Sequence, residues 1–156
     1  MVKSADNPEG VPIDMFDQAR RGLIKDRSQF CKEFAVPFYG ANRPGANVSQ
    51  GTLDQFWLWS MQGGLKNIYD SVKAFSETDF IKDIRTFDVP TLIMHSEDDQ
   101  IVPVDDTGGK SATLIKGAKG VFYPGLPHGL TATHADQVNA DLLKFLQSVQ
   151  RASKAA

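Results

Sequence analysis

Two short apolar runs set the strongest limit on what this chain folds into. Val89 to His95 reads VPTLIMH, of strand length and without polar alternation, as expected for a strand covered on both faces by helices. Gly120 to Tyr123 is a second, shorter run, ended by Pro124-Gly125. Between them, Asp105-Asp106 supplies acidic caps for a helix to about Ile115, weakened by Gly108-Gly109 and closed by Gly117. A final helix follows: Thr133 and Asp136 fit a capping box, and Val138, Leu142, Phe145, Leu146 and Val149 form one stripe. The closing RASKAA is expected to fray. Strand, helix, strand, helix makes one parallel β-α-β unit, which is too little sheet, because central-type strands need neighbours on their edges. On physical grounds the fold reads as partial.

Before Phe87 the pattern is helical throughout. Pro12 suits a first helical turn, Asp14 and Asp17 favour its positive end, and Ile13, Phe16, Leu23 and Ile24 recur on one face. A second segment from Gln29 to Ala35 carries Phe30 and Phe34, and Pro37 is expected to stop it. Tyr39 to Gln50 reads as loop. Thr52 and Gln55 fit a capping box opening a helix with Phe56, Trp57 and Trp59. After Gly63-Gly64, Leu65, Ile68, Val72 and Phe75 define a further helix ending near Thr78.

Composition narrows the function classes. The 156 residues amount to one ordinary domain or a piece of one, and a net charge of −2 supplies no field to gather nucleic acid or anionic lipid. The lone cysteine, Cys31, excludes a disulfide scaffold and a thiolate metal cluster. No run approaches the roughly 18 apolar residues of a membrane span, and the opening MVKSADNPEG lacks a secretory pattern. The expectation is a cytoplasmic protein with no metal and no cofactor.

The chemistry collects in two loops. His95-Ser96-Glu97-Asp98-Asp99-Gln100-Ile101-Val102-Pro103 follows the first strand, and Gly125-Leu126-Pro127-His128-Gly129 follows the second. In a parallel sheet both lie at the carboxyl ends of the strands, where open α/β sheets place their sites. An acid and a histidine arriving there can pair, the carboxylate fixing the imidazole tautomer and stabilising its charged form.

FDVPTLIMHSEDDQIVP and GLPHGLTATHADQVNADLLKFL resemble the last two strand-loop elements of the α/β-hydrolase superfamily. With KDRSQFCKEFAVPFYG and VKAFSETDF, nearly the whole chain is similar to the C-terminal half of the cofactor-free (non-haem) chloroperoxidases and related aryl esterases. The resemblance implies a partial α/β-hydrolase fold: a helical cap over residues 1–86, then the last two parallel strands and C-terminal helices over 87–150, with a disordered tail at 151–156. It places the catalytic acid on Asp99 and the catalytic histidine on His128, and Ser96 stands where a glycine is usual. The nucleophile elbow G-x-S-x-G, which precedes this region in the family, is absent from the sequence.

A complete relative would attack a small ester or short carboxylic acid through an acyl-serine, with water or hydrogen peroxide as acceptor. This chain alone is expected to be inactive, unless a second chain or self-association supplies the missing core. The alternative is a non-catalytic fragment or an assembly module pairing through its exposed sheet edge. Phe38, Tyr39, Trp57 and Phe75 are candidates for a small acyl pocket, and Ile101 and Val102 fall where the family places pocket-wall side chains. Most aromatics at helical spacing are core, His134 is expected on the surface, and His95 is expected to be packed or hydrogen-bonded at the strand end. The ligand spacing of the three histidines is too loose for a metal site.

Overall fold

The computed structural model describes residues 1–155. They form two compact units, Met1–Phe80 and a second beginning at Ile81.

The first unit is helical. Helix α1, Ile13–Tyr39, carries the two expected helical segments joined at a kink, where Asp26 leaves helical geometry. There the Asp26 carboxylate accepts from the Gln29 amide at 2.9 Å, so the break is capped by a residue suited to it. Pro37 does not stop the helix: it lies inside the last turn, and the chain leaves at Gly40 (φ 71°), whose left-handed backbone lets its N–H reach the Pro37 carbonyl. Helix α2, Gln50–Gln62, begins earlier than Thr52 because Ser49 is its cap, accepting from the Thr52 amide at 3.2 Å. Helix α3, Leu65–Glu77, follows the expected face. Phe16, Leu23, Cys31 and Val72 form the core of this unit, with Phe30, Trp57, Met61 and Ile68 packed against it.

In the second unit a short helix, α4 (Ile81–Ile84), precedes strand β1 (Leu92–Ser96). Helix α5, Gly108–Leu114, starts at the glycine pair rather than at Asp105-Asp106, whose residues make a turn before it. Strand β2 (Lys119–Tyr123) then pairs with β1 in parallel, with His95 opposite Phe122 and Ser96 opposite Tyr123. The short helix α6 (Leu130–Thr133) leads into α7 (Ala135–Ala155). The helix therefore continues through most of the segment expected to fray, and residue 156 lies outside the described residues. Tyr123, Leu130 and Val138 form the core here, with Met94, Val121 and Leu126 around them. The Tyr123 hydroxyl donates to the Asp141 carboxylate at 2.9 Å, tying β2 to α7. Among the described residues the sheet has these two strands, and no helix is long and apolar enough to cross a membrane.

Candidate active site

Parallel pairing in this register delivers the loops after β1 and β2 to the same edge of the sheet. Ser96, the last residue of β1, is fully buried, and its hydroxyl donates to the Leu126 carbonyl while accepting from the Asp98 amide at 3.2 Å. The Glu97 amide adds a bond of 3.0 Å to the Tyr123 carbonyl. The acid loop is thus stitched to the histidine loop before the Asp99 or His128 side chain takes part. In the sequence Ser96 stands out only as a departure from glycine. A buried hydroxyl must find a partner, and that requirement is the signal that could have marked it.

Asp99 sits within this frame with its side chain 2% exposed. One carboxylate oxygen, Oδ1, accepts from the amides of Ile101 and Val102, both at 2.8 Å. The other, Oδ2, accepts from His128 Nδ1 at 2.7 Å, across 29 positions of sequence. His95 Nε2 lies 3.3 Å from the same Oδ2 and 2.9 Å from the Val102 carbonyl oxygen. Burial works to raise the Asp99 pKa, but the bonds from His128, His95 and the two amides outweigh it and hold the carboxyl well below its usual range. The carboxylate is therefore ionised at neutral pH. The His95 pKa is raised, chiefly by its bond to Asp99.

His128 follows Pro127 in the turn after β2, and its side chain keeps 30% exposure. With Nδ1 donating to Asp99, Nε2 carries the lone pair of the neutral ring. That is the arrangement of an imidazole prepared to take a proton on one nitrogen while a buried anion stabilises the other side. Asp99 and His128, both expected from sequence, are brought together.

The remaining candidates are distributed. Ile101 and Val102 hold Asp99 through their backbone amides, and their side chains are half-buried. Phe38 and Tyr39 gather with Phe56, at ring-centroid distances of 4.9 and 5.9 Å. Trp57 donates its indole N–H to Ser28 at 3.1 Å and lies beneath the Lys32 ammonium. Phe75 is exposed and meets Phe16 edge-on. His134 is half-buried rather than on the surface, its Nδ1 2.8 Å from the Thr133 hydroxyl. Cys31 is buried in the first unit's core, and burial pushes its thiol up, away from nucleophile chemistry.

A replacement of Ser96 tests the stitching. Ser96→Val leaves the Leu126 carbonyl and the Asp98 amide without their hydroxyl partner in a buried setting. It is expected to cost about 2–3 kcal/mol, read from urea unfolding, with Ser96→Gly less damaging because water can enter. Equal stability of Ser96→Val and the parent would contradict this account of the loop.

A sheet flanked by helices, with an acid and a histidine on adjacent loops at its carboxyl edge, fits the partial α/β-hydrolase fold that the family resemblance implies. No protein-family model matches the chain. Individual proteins do. Over 149 residues, 95% of the chain, it is 50% identical to a non-heme haloperoxidase of Rhodococcus erythropolis. It is 48% identical to a bifunctional esterase/perhydrolase of Acinetobacter calcoaceticus over the same share. Each alignment takes in 54% of the relative, so the chain spans about half the length of the curated relatives it matches. Among solved structures, a bromoperoxidase from Bacillus anthracis superposes with a TM-score of 0.88 at 37% identity, over 93% of this chain and 53% of that one. An esterase from Exiguobacterium antarcticum gives 0.83 at 19% identity over 94% and 52%, a likeness of fold. The chain matches the C-terminal half of the non-heme haloperoxidases.

Proposed function

We propose that this chain carries the acid-base half of a serine esterase/perhydrolase, with His128 as general base and then general acid and Asp99 as its orienting acid. The observation that supports it most directly is the 2.7 Å bond between His128 Nδ1 and a buried, ionised Asp99 that four donors surround. In this reading His128 Nε2 takes the proton of an attacking serine hydroxyl, and an ester carbonyl becomes an acyl-serine with loss of the alcohol. His128 then activates the second nucleophile. Water gives the carboxylic acid, and hydrogen peroxide gives the peracid, each restoring the serine. The relatives' names, a haloperoxidase and an esterase/perhydrolase, support this choice of acceptors.

The serine and the oxyanion-stabilising amides come from outside these 156 residues, whose sequence holds no G-x-S-x-G. We propose that sequence or a second chain carrying that elbow completes the site, and that the isolated chain turns over esters at background rate. The test is reconstitution. The chain is mixed with the nucleophile-bearing segment of the Rhodococcus relative, then assayed for hydrolysis of a short aryl ester, for peracid formation with peroxide, and for labelling by a fluorophosphonate. Activity that appears on mixing and vanishes with His128→Ala supports the reading. Activity that survives His128→Ala overturns it.

A second reading, a non-catalytic assembly module, draws on a different observation. Each of the two strands has one edge unpaired among the described residues, and Val89, Leu142, Leu143 and Leu146 of the same unit are exposed. Self-association by light scattering that persists when the nucleophile segment is present would favour it.

A further inference from the structure

His95 belongs to neither loop's expected machinery, yet its imidazole reaches into the acid's hydrogen-bond shell. Its Nε2 stands 2.9 Å from the Val102 carbonyl oxygen and 3.3 Å from Asp99 Oδ2. Both neighbours are acceptors, so Nε2 carries the proton and one N–H points between a carbonyl and a carboxylate. Val102 in turn donates its amide to Asp99 Oδ1 at 2.8 Å. His95, Val102 and Asp99 therefore close a small ring of bonds that fastens the acid loop to the end of β1. The side chain is 13% exposed, which limits how far water can replace these contacts.

The opposite nitrogen explains a glycine. A Cβ built on Gly108 would lie 2.3 Å from His95 Nδ1 and 2.9 Å from its Cγ. The first turn of α5 can pass this close to the imidazole only because residue 108 has no side chain. Gly108, a weak point in a helix by propensity, is where the helix makes room for the ring. The ring is thus clamped on both sides, by the acid loop at Nε2 and by the helix backbone at Nδ1.

We propose that His95 is a positioning residue: its Nε2–H bridges the Val102 carbonyl and Asp99 Oδ2 and keeps that oxygen aimed at His128. The assignment rests on the acid-base reading above and deepens it. The charged group acting on His95 is Asp99. Other ionisable side chains on the packed elements include Lys110 on α5, Lys119 and Tyr123 on β2, and Asp136, Asp141, Lys144 and Arg151 on α7. His95 touches no reacting atom in this scheme and acts through Asp99.

The test follows one proton, the low-field Nδ1–H of His128, in the whole chain labelled with nitrogen-15 histidine. The resonance is assigned by its loss in His128→Ala. His95→Phe keeps a planar ring and removes the donor, and is expected to speed exchange of this proton with water by about tenfold or more. His95→Gln keeps a terminal N–H and is expected to restore slow exchange. A merely structural role would not distinguish these two variants once both fold, as checked by methyl dispersion. Should His95→Phe fail to fold, Gly108→Ala decides, because it displaces the ring without changing its chemistry and is expected to give the same fast exchange. Wild-type exchange in His95→Phe, or in Gly108→Ala where that variant decides, overturns the assignment. Asp99→Asn separates the two levels of the reading: if the His128 proton is unaffected by that change, the acid-base pair itself is wrong and the role of His95 falls with it.

Discussion

Asp99→Asn is expected to cost about 3 kcal/mol at neutral pH, a large loss for a change of one atom, because the replaced group is a buried acceptor in a closed network. The amide oxygen can still serve the Ile101 and Val102 N–H groups. Its nitrogen then faces His128 Nδ1 and His95 Nε2, so donor meets donor where Oδ2 accepted from both. His128 relieves the conflict by shifting its proton to Nε2, the wrong tautomer for a base. In a reconstituted enzyme the comparable loss of turnover is about 10⁴-fold. The pH dependence has a definite sign. Asp99 is more acidic folded than unfolded, so the stability it contributes is present above the unfolded carboxyl pKa of about 4 and fades as pH falls through the lower folded value. Urea midpoints measured from pH 7 downward should therefore separate the parent from Asp99→Asn at neutral pH and converge in acid. A constant gap across that range would show that the carboxylate's charge has no part in the stabilisation.

How far the sequence spoke for itself differs by kind of residue. The two loops were legible because each follows an apolar strand and a parallel sheet sends both to one edge, whereas the choice of Asp99 and His128 within them rested on the family resemblance. The strands were legible because apolar runs without alternation have few other uses. Boundaries were harder wherever two local signals compete. Thr52 suits a helix cap, yet its own amide donates to Ser49, which caps the helix three residues earlier. Pro37 carries a stop signal, yet its fixed φ is compatible with a last turn, and Gly40 sets the end. Asp105 and Asp106 advertise a helix start, but α5 begins at Gly108 where the backbone must approach His95. Ser96 and His95 were illegible as partners of the site. Ser96 bonds to the Leu126 carbonyl, and His95 is set beside Asp99 by the Val102 carbonyl, and a carbonyl has no letter in the sequence.

The second large effect is expected at Tyr123, whose side chain is buried at 2% exposure between Leu130 and Val138. Tyr123→Ala is expected to cost about 3–5 kcal/mol, enough to unfold the second unit under mild conditions. Tyr123→Phe keeps the ring, loses the bond to Asp141, and should cost about 1–2 kcal/mol. Alkali tells the two contributions apart. Burial first, then the bond to Asp141 and its charge, push the hydroxyl up to about 12. A raised pKa means its stabilisation is whole below the unfolded value near 10 and disappears as pH climbs through the folded one. Between pH 10 and 12 the parent should lose stability along a slope that Tyr123→Phe lacks, followed by denaturant midpoints at each pH. Parallel curves would refute the bond's role.

The pairing of His95 with Phe122 and Ser96 with Tyr123 also makes the sheet a vernier. A slip of two residues would keep every side chain on its own face and leave the apolar contacts nearly as good, yet it would carry Asp99 about 6–7 Å along the strand direction. No rotamer of His128 could follow that far while its own loop stayed anchored. A mis-threaded sheet would be compact, well packed and chemically mute, so the contact between these two side chains reports correct threading more faithfully than compactness does.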